Sequence, residues 1–77
     1  MQSFKPTAKK EVLRDLVRQI ENAIVRGDLS EGAKLPPERE LQSTFQASRT
    51  TIREALRVLE QKGLITIRKG KGGGSFV

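Results

Sequence analysis

The feature that most constrains the fold is one amphipathic run, "SRTTIREALRVLEQKG", at residues 48–63. Its apolar residues recur at spacings of three and four, which places them on one face of an α-helix. Ser48 is a favourable N-cap, and Lys62 followed by Gly63 is the order expected at a helix end. The run therefore predicts a helix over 48–62 that buries one face. The apolar residues on that face are Ile52, Ala55, Leu56 and Leu59.

A short helix and a tight turn are predicted directly before this run. Leu41 and Phe45 stand four apart and predict a helix over 38–45, and "QAS" at 46–48 reads as a turn. Two helices joined by so short a turn form a helix-turn-helix.

A longer amphipathic helix is predicted over 9–26, after an N-terminal arm at 1–8. Thr7 is a candidate cap, and Gly27 is a suitable stop. We assign its apolar stripe to the core rather than to a partner helix, because so short a chain has little core to spare. The stripe comprises Val12, Leu13, Leu16, Val17, Ile20, Ala23 and Ile24.

The C-terminal segment, 64–77, predicts a β-hairpin. "LITIRK" is rich in β-branched residues, and "SFV" returns across a glycine loop. In the connector "GDLSEGAKLPP", Lys34 and Leu35 suit a short additional strand. The expected fold is mainly α with a small β-hairpin (α+β): a winged helix-turn-helix of three helices and a two- or three-stranded wing sheet, one domain over 1–77.

The glycine loop "KGKGGGS" has two other readings. A P-loop needs G-x-x-x-x-G-K-[ST] between a strand and a helix, and here no lysine precedes Ser75. A flexible linker is the second alternative, since "GGGS" is typical of linkers. Phe76 and Val77 resume an apolar pattern that a linker does not need, so a wing is favoured.

Charge is concentrated in the second half of the chain. The 77 residues carry a formal net charge of +6. Residues 49–77 contain seven Lys/Arg and two acidic residues, Glu54 and Glu60, which gives a net charge of +5 there. A basic pole on a neutral body predicts a polyanionic partner, with nucleic acid ahead of an acidic membrane surface.

Composition also limits the chemistry and the compartment. His, Cys, Tyr and Trp are all missing, and no isolated pair of carboxylates or lysines stands out. We therefore predict no catalytic residue, no metal ligand and no enzyme. The lack of cysteine, of a signal peptide and of an apolar run of about 20 residues leads us to expect an intracellular, cytoplasmic protein without a membrane span.

Arg49, Arg53 and Arg57 share one helix face opposite the apolar stripe. Like charges four apart cost a helix roughly 0.2–0.5 kcal/mol per pair, so an anionic ligand is expected to neutralise them. The alternative is a solvated face partly balanced by Glu54 and Glu60.

The first turn of this helix is predicted to enter the major groove of DNA, as in other helix-turn-helix proteins. Arg49 and Arg53 are the candidates for reading bases, because arginine can bond guanine O6 and N7 together. Ser48, Thr50 and Thr51 are candidates for phosphate or base contacts near the positive end of the helix dipole. Two further candidates remain: Arg57 for the DNA backbone, and Arg39 for either a local ion pair with a neighbouring glutamate or a phosphate.

The run "KLPPERELQSTFQASRTTIREALRVLEQKGLI", followed by a basic glycine loop and "SFV", closely resembles the DNA-binding domain of GntR-type bacterial transcription regulators. The motif "SRTTIREAL" at residues 48–56 is most similar to the corresponding sequence of the fatty-acid-regulator subfamily. The resemblance implies a homodimer on a short palindromic operator, with the helix from Ser48 in the major groove and the wing at the minor groove. By the same resemblance, DNA contacts fall on Arg39, Arg49 and Arg53, on Ser48, Thr50 and Thr51, and on Lys69, Gly70 and Lys71 at the wing tip.

The family also implies a larger C-terminal domain that binds a small effector, such as a metabolite acid, and supplies the dimer interface. We therefore expect the N-terminal part of a metabolite-responsive repressor, with no cofactor in this domain. Three positions depart from the family pattern: Pro37 replaces a serine, Gln46 a glycine and Ala47 a valine. The alternative functions are RNA binding, disfavoured by the lack of Tyr and Trp, and binding of an acidic protein.

Overall fold

The computed structural model describes residues 7–77, which form three helices and a β-hairpin. In chain order the elements are α1 (Thr7–Val25), α2 (Glu38–Phe45), α3 (Arg49–Gln61), β1 (Thr66–Arg68) and β2 (Gly74–Phe76). The bounds predicted for α2 are confirmed, and α3 lies between Ser48 and Lys62, its N-cap and C-cap.

The predicted start and end of α1 were wrong by one or two residues. The helix begins at Thr7 rather than Lys9 and ends at Val25 rather than Arg26. Residues 7 and 8, assigned to an N-terminal arm, are therefore helical, because Ala8 is a strong helix former and nothing there delays the start. The rest of the proposed arm, 1–6, lies outside the described residues.

The core forms where α1 packs across α3 and where α2 and the connector close its side. Leu16 on α1 and Ile52 and Leu59 on α3 are completely buried, as the spacings of three and four predict. The ends of the α1 stripe are only half-buried. The complete set of buried apolar residues is Leu16, Val17, Ile20, Leu35, Leu41, Ile52, Ala55, Leu56, Leu59 and Ile65.

The turn between α2 and α3 depends on Gln46, which adopts the left-handed conformation with φ 52° and ψ 47°. Its main-chain N–H donates to the carbonyl of Gln42, and its side-chain Nε2 donates to the carbonyl of Ser43 at 3.0 Å. The family pattern has glycine at this position, which adopts the left-handed conformation without strain. At the other end of α2, Pro37 stands where the family pattern has serine and supplies no side-chain cap.

The wing is a two-stranded antiparallel sheet with one further bridge. Thr66, Ile67 and Arg68 pair with Phe76, Ser75 and Gly74 respectively. The predicted strand at Lys34 and Leu35 is reduced to a single bridge from Lys34 to Phe76, supported by a 2.8 Å bond from the Leu35 N–H to the Ser75 carbonyl. Pro36, which lacks an N–H, immediately ends that pairing.

Candidate nucleic-acid interface

The start of α3 is fixed by a side-chain cap. The Ser48 Oγ accepts from the main-chain N–H of Thr51 at 3.1 Å and lies 3.0 Å from the Thr51 Oγ1. This confirms the predicted N-cap and satisfies one of the unpaired N–H groups of the first turn. Arg49 and Thr50 are left exposed at the positive end of the helix dipole.

Thr51 does not belong to the exposed set, contrary to its prediction as a DNA contact. Its side chain is only 3% exposed, and its hydroxyl is hydrogen-bonded to Ser48. Thr51 lies four residues before buried Ala55 and eight before buried Leu59, so that the core stripe of α3 extends back to it. That spacing in the sequence was the signal of its burial.

The three arginines of α3 lie on its exposed face, but they have different neighbours. Arg53 Nε donates to both carboxylate oxygens of Glu38 on α2, at 3.2 and 3.3 Å. Arg49 and Arg57 make no ion pair within residues 7–77. Glu38 thereby connects α2 to α3.

Arg39 is exposed and also forms no ion pair within the described part of the chain. The alternative of a local pair with Glu38 was wrong, because the Glu38 carboxylate turns towards Arg53 instead. The guanidinium of Arg39 is therefore left for solvent or an anionic ligand.

A groove of about 590 Å³ lies between α3 and the wing. Cations from both elements line it, so the structure brings two of the predicted helix contacts, Arg53 and Arg57, to one surface with Lys69 and Gly70 of the wing. Glu60 is the acidic residue of the groove, and its Oε2 accepts from the main-chain N–H of Ile67 on β1 at 3.3 Å. The lining residues are Arg53, Arg57, Glu60, Ile67, Lys69 and Gly70.

The tip of the wing is exposed at Lys69, Gly70 and Lys71, where Gly70 has a φ of +88°. Behind the tip, Gly73 is required by close approach, since a Cβ there would lie 2.3 Å from the Arg68 carbonyl oxygen. Arg68 is not at the tip: its guanidinium lies over the Phe76 ring, 4.5 Å from the centroid.

Ion pairs also join residues of the helical part of the fold. Lys62, the C-cap of α3, pairs with Glu21 on α1 at 3.1 Å, and Arg26 pairs with Asp28 at 3.3 Å. Asp15 accepts from Arg18 and from Gln19, and these hydrogen bonds lower the pKa of its carboxyl. Residues 49–77 hold seven Lys/Arg and two acidic residues, so the excess positive charge is concentrated on α3 and the wing.

Two acidic residues of this surface, Glu38 and Glu60, were not identified as functional candidates from the sequence. Glu38 meets a residue 15 positions away, and Glu60 meets a strand beyond the next turn. Among the described residues, no cluster of His, Cys, Asp and Glu suits a metal ion, and no helix is long and apolar enough to cross a membrane.

Comparison with known proteins identifies the family. The sequence pattern of "Bacterial regulatory proteins, gntR family" matches residues 12–76. The HTH-type transcriptional repressor NanR of Klebsiella aerogenes is 40% identical over 67 residues, covering 87% of this chain and 26% of that protein. NanR of Escherichia coli K12 is 39% identical over the same length. The chain thus spans about a quarter of the length of the curated relatives it matches.

Solved structures agree. The DNA-binding domain of AraR in complex with operator ORX1 superposes with a TM-score of 0.79 at 31% identity, over 100% of this chain and 90% of that one. A GntR family transcriptional regulator from Listeria monocytogenes gives 0.78 at 28% identity, over 100% and 61%. The prediction of a winged helix-turn-helix is confirmed. The prediction that the chain is not an enzyme agrees with its membership of a family of regulators. The chain belongs to the GntR family of bacterial regulatory proteins and has its winged helix-turn-helix fold.

Proposed function

We propose that this chain binds double-stranded DNA sequence-specifically, as the DNA-reading part of a transcription regulator. The observation that carries the proposal is the single cationic groove shared by α3 and the wing. Placing α3 in the major groove sets the wing along the adjacent minor groove, as in other helix-turn-helix proteins with a basic extension. Relatives named as a repressor and as an operator-bound domain support the same function.

The contacts divide into reading and anchoring. We assign base reading to Arg49 and Arg53, which are exposed in the first turns of α3 with exposed Thr50 beside them. The hydroxyl of Ser48 already caps the helix, so its contribution to DNA binding is mainly to hold that turn. Phosphates are assigned to four basic residues, and Gly70 allows close approach of the backbone at the wing tip. The four residues are Arg39, Arg57, Lys69 and Lys71.

Further properties of the parent protein belong to the proposal and follow from the family resemblance. We infer a repressor that acts as a homodimer on a short palindrome in the bacterial cytoplasm. We also infer a second domain that binds a small-molecule effector, since the relatives are more than three times as long as this chain. Membership of the fatty-acid-regulator subfamily stays a prediction.

The experiment is a titration of this chain against three probes at two salt concentrations: random duplex, a palindrome library with GT and AC steps, and single strands. Preference for a palindrome supports the proposal if the binding constant also falls with salt concentration on a log–log plot with a slope that corresponds to several phosphate contacts. Equal affinity for all three would contradict specific duplex recognition and favour the RNA alternative. Failure to bind any of them would point to the acidic protein partner.

A further inference from the structure

Glu60 joins α3 to the wing. It lies in the last turn of α3, and its carboxylate accepts from the N–H of Ile67, the central residue of β1. The bond spans the turn at residues 62–65 and connects a side chain of the helix to the main chain of the strand. Glu60 is therefore a direct link between the helix and the hairpin.

Strand pairing explains why the Ile67 N–H is available to Glu60. In an antiparallel pair, successive residues point their N–H and C=O groups alternately to the partner strand and away from it. Ser75, opposite Ile67, uses its carbonyl to accept from Leu35 on the far edge of the hairpin. Ile67 therefore points its N–H away from β2, towards α3, where Glu60 receives it.

The two edges of the hairpin are supported differently. The connector holds the outer edge of β2 by main-chain bonds, including those from Leu35 to Ser75 and from Val77 to Ala33, both 2.8 Å. The outer edge of β1 faces α3 and receives the Glu60 side chain. This contact joins α3, which carries the exposed arginines, to β1, which leads to the tip of the wing.

A carboxylate in this groove opposes binding of a polyanion. It shares the lining with Arg53, Arg57 and Lys69, whose charges suit phosphate. We infer that Glu60 is a positioning residue: it fixes the wing relative to α3 so that the wing-tip lysines reach the duplex that α3 reads. The inference rests on the proposed function for its DNA part, whereas the bond itself is testable without DNA.

The first test compares Glu60→Ala with Glu60→Gln in the free chain. Gln keeps an acceptor oxygen without the charge, and Ala removes both while preserving helix propensity. We expect the Ile67 amide to exchange roughly tenfold faster in Glu60→Ala, with lower backbone order parameters at Gly70 and Lys71, and little change in Glu60→Gln. Equal exchange and order in all three proteins would overturn the inference. Circular dichroism verifies that α3 is intact in each.

The second test is a double-mutant cycle with Lys71→Ala on a random duplex of about 30 bp. We expect Lys71→Ala to weaken binding roughly three- to tenfold in wild type and in Glu60→Gln, but less than about twofold in Glu60→Ala. The same loss in all three backgrounds would overturn the positioning role while leaving DNA binding intact. If wild type binds no duplex, the proposed function fails, and the amide measurements alone decide whether Glu60 holds the wing.

Discussion

Recognition helix α3 and the wing carry the same kind of charge, but the fold holds them in different ways. α3 buries four apolar side chains and Thr51 in the core, and a serine cap fixes its first turn. The wing residues of β2 are only half-buried, and the hairpin depends on main-chain bonds to the connector and on Glu60. Rigid placement suits the reading of bases, whereas a lightly held hairpin suits anchoring to a backbone that is the same at every sequence.

The largest expected effect tests this difference in packing. Ile52→Ala removes a completely buried side chain and should lower the free energy of unfolding by about 2–5 kcal/mol. Ile67→Ala, at a half-buried wing position, should cost less than about half as much. Urea denaturation followed by circular dichroism measures both. Similar losses would mean that the wing is as much a part of the cooperative core as α3.

The next effect separates reading from anchoring. Arg49→Ala should weaken operator binding by about 1–3 kcal/mol and relax the preference for one base pair. Lys71→Ala should weaken binding by the same factor on every duplex, whatever its sequence. It should also reduce the slope of log binding constant against log salt concentration by about one. Fluorescence anisotropy on matched and mismatched duplexes distinguishes the two patterns, and identical behaviour would abolish the division.

A smaller effect concerns the cap that gives α3 its fixed start. Ser48→Ala removes the acceptor for the Thr51 N–H and should cost about 1 kcal/mol of unfolding free energy. Ser48→Asn keeps a capping oxygen and is the matched control. Thermal unfolding compares them. A loss in Ser48→Asn as large as in Ser48→Ala would show that the hydroxyl contributes something other than capping.

The smallest effect is a dependence of the free energy of unfolding on pH that arises from Asp15 on α1. The wing, residues 64–77, contains no acidic side chain and has no counterpart to it. Hydrogen bonds from Arg18 and Gln19 lower the pKa of Asp15 in the folded chain. Its contribution to stability is therefore present above the ordinary carboxyl pKa of about 3.9 and is lost as the pH falls through the lowered value. The stability difference between wild type and Asp15→Asn should disappear over that range. A difference that persists at the lowest pH would show that it does not arise from ionisation.

Local signals predicted the helices well because caps and stops act over a few residues. Pro37 before Glu38 and the turn at Gln46 bound α2, and the Ser48 cap and Gly63 bound α3. Thr51 was misplaced because its polar side chain suggested a surface residue, whereas its position four residues before Ala55 places it in the core. The start of α1 was misjudged because Thr7, taken as a cap outside the helix, is its first residue.

Contacts between elements were not predictable in the same way. The pairing of Glu38 with Arg53 depends on the angle between α2 and α3, and that of Glu60 with Ile67 depends on where β1 returns after the turn. Neither angle follows from spacing along the chain. Periodicity and turn signals predicted the fold and the arginine face of α3, and the family resemblance added the contacts at the wing tip. Neither indicated the two acidic residues, Glu38 and Glu60, that contact Arg53 and the wing.

The contact between Glu38 and Arg53 restricts the orientation of the Arg53 guanidinium. Its Nε is occupied by the carboxylate, so that in the proposed DNA complex the two terminal nitrogens, Nη1 and Nη2, are the donors left for a base. A partner must present two acceptors side by side to use both. Arg49 makes no ion pair within the described residues, so no carboxylate restricts the orientation of its guanidinium. The two base-reading candidates of α3 therefore differ: the orientation of Arg53 is restricted by Glu38, whereas Arg49 can reorient towards its partner.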